Sequence, residues 1–238
     1  MRNRAHTIVF LLAGLAALPP TLLGSASVQA ESAGATIVGR VVFRGTVPPA
    51  QSRSVTRDSE FYGKTVSIQS LLVDVSTHGV RDAVVSVEAD KPGALAHSEE
   101  THLVTRSCTF APRVMAAQVG QVVEIANEDP VMHNTNMTHN GRTVMNEALA
   151  ADGNPVEKEL TRPGLHSLVC NTHKFMKGHL LVFEHPYFAV TNETGQFRVT
   201  GLLPGLREVT VWHESLGTLK KDVTVPASGE VRVTFEFP

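Results

Sequence analysis

Cysteine is almost missing from this chain: Cys108 and Cys170 are the whole supply in 238 residues. Two cysteines cannot build a disulfide framework, which excludes a small fold stapled by bridges. Basic charge is not in excess either. The 21 Lys and Arg face 23 Asp and Glu, for a net charge of −2, which argues against nucleic acid and anionic membrane surfaces as partners. No apolar run is long enough to span a bilayer; the longest, Ile8 to Ala17, is followed at once by Pro19-Pro20. Catalytic signatures are lacking too. There is no Ser-His-Asp order, phosphate loop, paired-carboxylate motif or H-E-x-x-H, so a hydrolase or transferase site is not expected and the chain does not read as an enzyme. Sustained helical periodicity, internal repeats and low-complexity tracts are equally absent.

The N-terminus has the pattern of a secretory signal. Arg2 and Arg4 give a basic start, an apolar stretch follows, and Val28-Gln29-Ala30 offers a cleavage site before Glu31. Residues 1–30 are therefore read as a signal peptide and the mature protein as periplasmic or secreted, without stable membrane insertion. An uncleaved anchor is the alternative. The twin-arginine pattern is absent, which points to the general secretory route. Loss of Arg2 and Arg4 would take Lys and Arg from 21 to 19 and the mature charge to about −4.

The rest reads as strands, an all-β chain. Runs at 37–43, 83–87, 121–126, 165–170, 179–183, 197–199, 207–212, 221–225 and 231–237 are β-branched or alternating, separated by Gly, Pro, Asn and Asp. Val190 to Phe197, with Asn192 and Gly195 inside it, predicts a hairpin. Leu203-Pro204-Gly205 predicts a second turn, and 146–151 a third.

One short segment carries chemistry. Cys170, His173 and Met176 stand at Cys-x2-His-x2-Met spacing, and His133 lies upstream. Two imidazoles and a thiolate with a weak thioether form the ligand set of a type 1 (blue) copper centre. The soft thiolate suits Cu(I), the imidazoles accept Cu(II), and the thioether tunes the balance; the chemistry implied is electron transfer with one copper ion. Zinc is disfavoured, since structural zinc sites want four Cys or His. A Cys108–Cys170 disulfide would destroy this site, and Cys108 reads otherwise as a small buried hydrophobe. Met132, Met137, His139 and Met145 read as a solvated loop with stray methionines rather than a Cu(I) relay. His179 is expected to face solvent and His166 to be a packing or surface residue. His185 and His213 are expected to be hydrogen-bonded rather than metal-bound.

The ligand block resembles the cupredoxins, with the loop spacing of the amicyanin type. Phe110-Ala111-Pro112, Val119-Gly120, the strand from Val122 and Asn127-Glu128-Asp129 lead to His133 as in that family. The resemblance implies that Asn134 ties its loop to the thiolate loop, that His173 is an exposed electron port, and that Phe175 adds to a docking patch for a redox protein. The C-terminal block, with Thr191, Gly195, Phe197, Leu202 to Gly205 and Val211 to His213, resembles carboxypeptidase regulatory-like (transthyretin-like) domains, whose opening strands match Gly39 to Val41 and Ala83 to Val87. The implied architecture is a cupredoxin Greek-key β-sandwich at 96–184 inserted into a small regulatory-like β-sandwich made of 35–95 and 185–238; a sequential arrangement is the alternative. The layout is similar to exported methylamine-utilisation-like proteins, but Lys174 and Phe175 stand where that group has Pro and Trp, and a Cys near Tyr62 and a His near Arg113 are missing. A copper carrier, or a structural or carbohydrate-binding module with a dead site, are the rival readings.

Overall fold

The computed structural model describes residues 34–90 and 101–238; the expected signal peptide and the expected boundary at 95/96 lie outside these residues. In chain order the elements begin with β1 (Ala35–Phe43), β2 (Gln51–Ser54), the one-turn helix α1 (Ser59–Tyr62), β3 (Thr65–Ile68) and β4 (Val84–Val87). Next come β5 (Thr101–Arg106), β6 (Thr109–Ala111), β7 (Val114–Gln118), β8 (Val122–Asn127), β9 (His133–His139), β10 (Arg142–Leu149), β11 (Val156–Glu159), β12 (Gly164–Val169) and β13 (Lys177–Phe183). The chain closes with β14 (Phe188–Val190), β15 (Gln196–Leu202), β16 (Gly205–His213), β17 (Gly217–Val225) and β18 (Glu230–Phe237).

Four sheets pack as two β-sandwiches. In one, the sheet β15-β1-β18 faces β14-β4-β16-β17 across a core that includes Ile37, Val85, Phe197, Val211 and Phe235. In the other, β10-β9-β12-β13-β7 faces β11-β8-β5-β6 across Leu103, Phe110, Ile125, Leu168 and Leu180. Strand alternation places these side chains inward: in β13 Gly178, Leu180 and Val182 are buried while their neighbours are less so. Burying each large apolar side chain contributes about 1.5–3 kcal/mol. Met137 and Met145 belong to this second core, fully buried and nearly so. They lie on paired strands β9 and β10, which corrects the solvated-loop expectation; only Met132 of that group is exposed.

Two predicted turns form, but with different partners. The segment around Asn192 to Gly195 does turn: Gly195 N–H donates to the Asn192 carbonyl, and the Asn192 side chain accepts from Thr194 and Gln196. Yet β14 pairs with β4 and β15 pairs with β1, so the chain crosses between sheets instead of making a hairpin. The turn at 203–205 likewise carries the chain from one sheet to the other. The turn expected at 146–151 is mostly strand, because β10 runs to Leu149.

A polar seam joins the sandwiches. Arg113 pairs with Asp82 and Glu214 and donates to the Ser70 carbonyl. His179 Nε2 lies 3.0 Å from the Glu214 carboxylate, and its ring meets Trp212 edge-on. His179 is thus half-buried in the seam, not solvent-facing as its strand position suggested. The hairpin β2–β3 stands outside both sandwiches as a two-stranded sheet.

Candidate metal centre

The antiparallel ladders explain why distant residues meet. β12 pairs with β9 on one side and β13 on the other. The start of β9, the end of β12 and the start of β13 therefore lie at one end of the same sheet. His133 opens β9, Cys170 follows β12 directly, and Met176 immediately precedes β13. The loop between is closed by Met176 N–H to the His173 carbonyl at 2.8 Å and Cys170 N–H to the Met176 carbonyl at 3.3 Å. All four of these residues are buried.

Three donor atoms form a triangle. Cys170 Sγ is 3.8 Å from His133 Nδ1 and 3.8 Å from His173 Nδ1, and the two Nδ1 atoms are 3.2 Å apart. The point equidistant from the corners of a triangle with sides of 3.8, 3.8 and 3.2 Å lies about 2.1 Å from each, a metal–nitrogen and near metal–sulfur bond length. The buried donors thus fit a single copper ion.

Cys108 is part of this cluster, which the sequence reading did not anticipate. Its thiol lies 3.7 Å from Met176 Sδ, and donor atoms of Cys108, His133 and His173 lie within 4.8 Å of one another. Both cysteines are free, so the disulfide alternative does not hold. The two sulfurs differ in surroundings. Cys170 Sγ accepts backbone N–H groups from Asn134 and His173, both at 3.4 Å. Burial, followed by the charge of Asp129, pushes the Cys108 thiol up to about 12, which keeps it neutral.

Asn134 connects the two loops. Besides its N–H to Cys170 Sγ, its side-chain oxygen accepts from Asn171 N–H at 3.4 Å and its amide donates to Asn146 and to the Glu147 carbonyl.

The outer nitrogens of both imidazoles are held by carboxylates. Asp129 Oδ2 is 3.0 Å from His133 Nε2, and the same carboxylate accepts N–H from Ser107 and Cys108. Burial alone would raise the Asp129 carboxyl, but these backbone donors, Tyr62 and His133 hold it below its usual value. The Tyr62 hydroxyl sits 3.2 Å from His133 Nε2; burial and then Asp129 push its phenol well up. His133 is itself pushed down by burial and by His173, toward the neutral imidazole a metal needs. Asp58, at the start of α1, reaches 3.0 Å from His173 Nε2. His173 is only 2% exposed, so the expected open electron port is instead roofed by α1. Asp58, Tyr62 and Cys108 come from segments 60 or more residues from the ligand loop, and local spacing carries no signal for them.

Four further described histidines have partners away from this cluster. His166 is buried and stacks on His139. His185 and His213 accept backbone N–H groups from Tyr187 and Ser215.

No protein-family description matches the chain, and no curated protein does. Among solved structures, a copper-containing nitrite reductase from Thermus scotoductus is similar at 22% identity over 39% of this chain, with a TM-score of 0.33; the match spans only 25% of the reductase. A purple cupredoxin from Nitrosopumilus maritimus matches at 21% identity over 35% of this chain and 100% of its own, with a TM-score of 0.32. Amicyanin from Paracoccus versutus matches at 16% identity over 42% of this chain and 97% of its own, with a TM-score of 0.33.

Proposed function

We propose that this chain is an exported one-electron carrier with a single type 1 copper, held by His133, Cys170 and His173 in a plane and by Met176 more weakly. The observation that carries the reading is the donor triangle, whose centre stands at bonding distance from one thiolate and two imidazoles. Copper, when bound there, supplies a Cu(II)/Cu(I) couple. The protein's part is to hold the donors fixed: Asp129 and Asp58 orient the imidazoles, and Asn134 and the His173 N–H hold the thiolate. The donors are buried, so copper held there would be shielded from bulk water, which favours electron transfer over catalysis. The N-terminal pattern at residues 1–30 supports export.

The domain reading is part of the proposal: a cupredoxin unit at 96–184 nested in a regulatory-like unit. It is supported by β1 and β4, which pair with strands after residue 187 and not with those between.

One observation favours a second reading, a Cu(I) carrier. The Cys108 thiol beside Met176 adds a soft donor that suits Cu(I) alone. Voltammetry of the copper-loaded protein, with a Cu(I) chelator present, separates the two. A reversible one-electron wave with copper retained in both states supports the electron carrier; loss of copper to the chelator on reduction supports the copper carrier.

A further inference from the structure

Beside the ligand loop lies an open groove of about 500 Å³, walled by the β2–β3 hairpin on one side and by residues 172–177 on the other. Four cationic side chains line it: Arg53 and Arg57 from the hairpin segment, Lys174 and Lys177 from the loop. No carboxylate lines it, although acids outnumber bases in the chain as a whole. Asp58, the nearest acid in sequence to these arginines, is turned to His173. Among the described residues none of the four cations has a carboxylate partner; Arg53 bonds only the neutral Gln51 amide. Phe175 and the edge of His173 complete the wall, with their rings 6.0 Å apart. His173, one of the proposed donors, itself lines the groove.

We infer that this groove docks the acidic face of a redox protein partner, so that electrons enter or leave along the Phe175 and His173 wall rather than through an open imidazole. The inference rests on the electron-carrier reading above. All four cations are exposed, unlike the enclosed, converging groups of a small-anion pocket, and exposed rim charges act mainly by steering a charged protein surface into register.

The overall negative charge makes the test sharp, because it alone would repel anions. The copper(I)-loaded protein is oxidised in stopped flow by ferricyanide, one electron passing from Cu(I) to Fe(III), and by tris(phenanthroline)cobalt(III), a cation. The ferricyanide rate should fall as salt is added and the cobalt rate should rise. The double variant Arg53→Glu, Arg57→Glu, with its copper spectrum unchanged, should lose about tenfold or more of the ferricyanide rate at low salt. A ferricyanide rate that rises with salt, or a variant without effect, overturns the assignment. A second arm needs no copper chemistry and so survives failure of the electron-carrier reading. Hexaglutamate is titrated into the ¹⁵N-labelled protein as purified, and amide shifts should concentrate at 51–57 and 172–177. Shifts elsewhere, no shifts, or the same shifts from inorganic phosphate would overturn a protein-docking groove.

Discussion

At the scale of single residues, two carboxylates and two sulfurs decide how the centre behaves. Met176 is the weakest of the proposed donors, and its thioether accepts a weak hydrogen bond from the Cys108 thiol. Met176→Leu should keep copper and its thiolate colour but raise the reduction potential, since Cu(II) asks for more donors than Cu(I); a redox titration reads this. Asp129 does more than orient His133, because it also satisfies the N–H groups of Ser107 and Cys108 in the turn between β5 and β6. In Asp129→Asn one amide NH2 must face a backbone donor. That should cost about 1–3 kcal/mol in urea unfolding and weaken copper binding by about 10–100-fold in a competition assay. The legibility of the site follows from distance along the chain. Cys170, His173 and Met176 lie within seven residues of one loop, and their types alone name a metal. Cys108, Asp58 and Tyr62 reach the cluster only through sheet pairing and a hairpin roof, which no local pattern records.

At the scale of elements, the strands were readable where both alternation and turn residues were present, as in β1, β8, β13 and β16. The polar strands β2, β3, β9 and β10 were not, because their residues alternate weakly and pairing with neighbours, rather than propensity, makes them extended. The turn at Asn192 to Gly195 shows the same limit in another form. Its chemistry fixes that the chain reverses, but which strands flank it is decided by the two sheets it joins. Gly195 there has φ +75°, and a Cβ would come 2.4 Å from the Val41 carbonyl oxygen and 2.7 Å from the Gly79 Cα. Gly195→Ala should therefore cost about 2–4 kcal/mol, combining left-handed strain with a backbone clash, seen as a lower urea midpoint. Because this turn lies in the first sandwich, the copper spectrum of that variant should be unchanged.

At the scale of the whole molecule, the seam between the sandwiches sets the response to acid. His213 is buried, and burial, then the positive charge of Arg113, lowers its pKa from 6.5 to about 4. His179 is lowered to about 4 by burial, then by the positive charges of Arg113 and Lys177. Both imidazoles are neutral in the native state near pH 7. Between pH 6.5 and 4 the unfolded chain takes up their protons and the native chain does not, so stability falls as pH falls through that window. Each His contributes up to about 3 kcal/mol to that loss. Replacing His213 by Gln should flatten the pH dependence of the unfolding free energy between pH 6.5 and 4; a slope equal to wild type would remove His213 from the account.

The central claim concerns one sulfur. Visible and electron paramagnetic resonance spectra of the protein and of Cys170→Ala, each with one equivalent of Cu(II), test it most directly. The account predicts an intense thiolate-to-copper band that bleaches with dithionite, returns with ferricyanide and is absent from Cys170→Ala. A colourless wild-type protein, or a band that persists in Cys170→Ala, would contradict it.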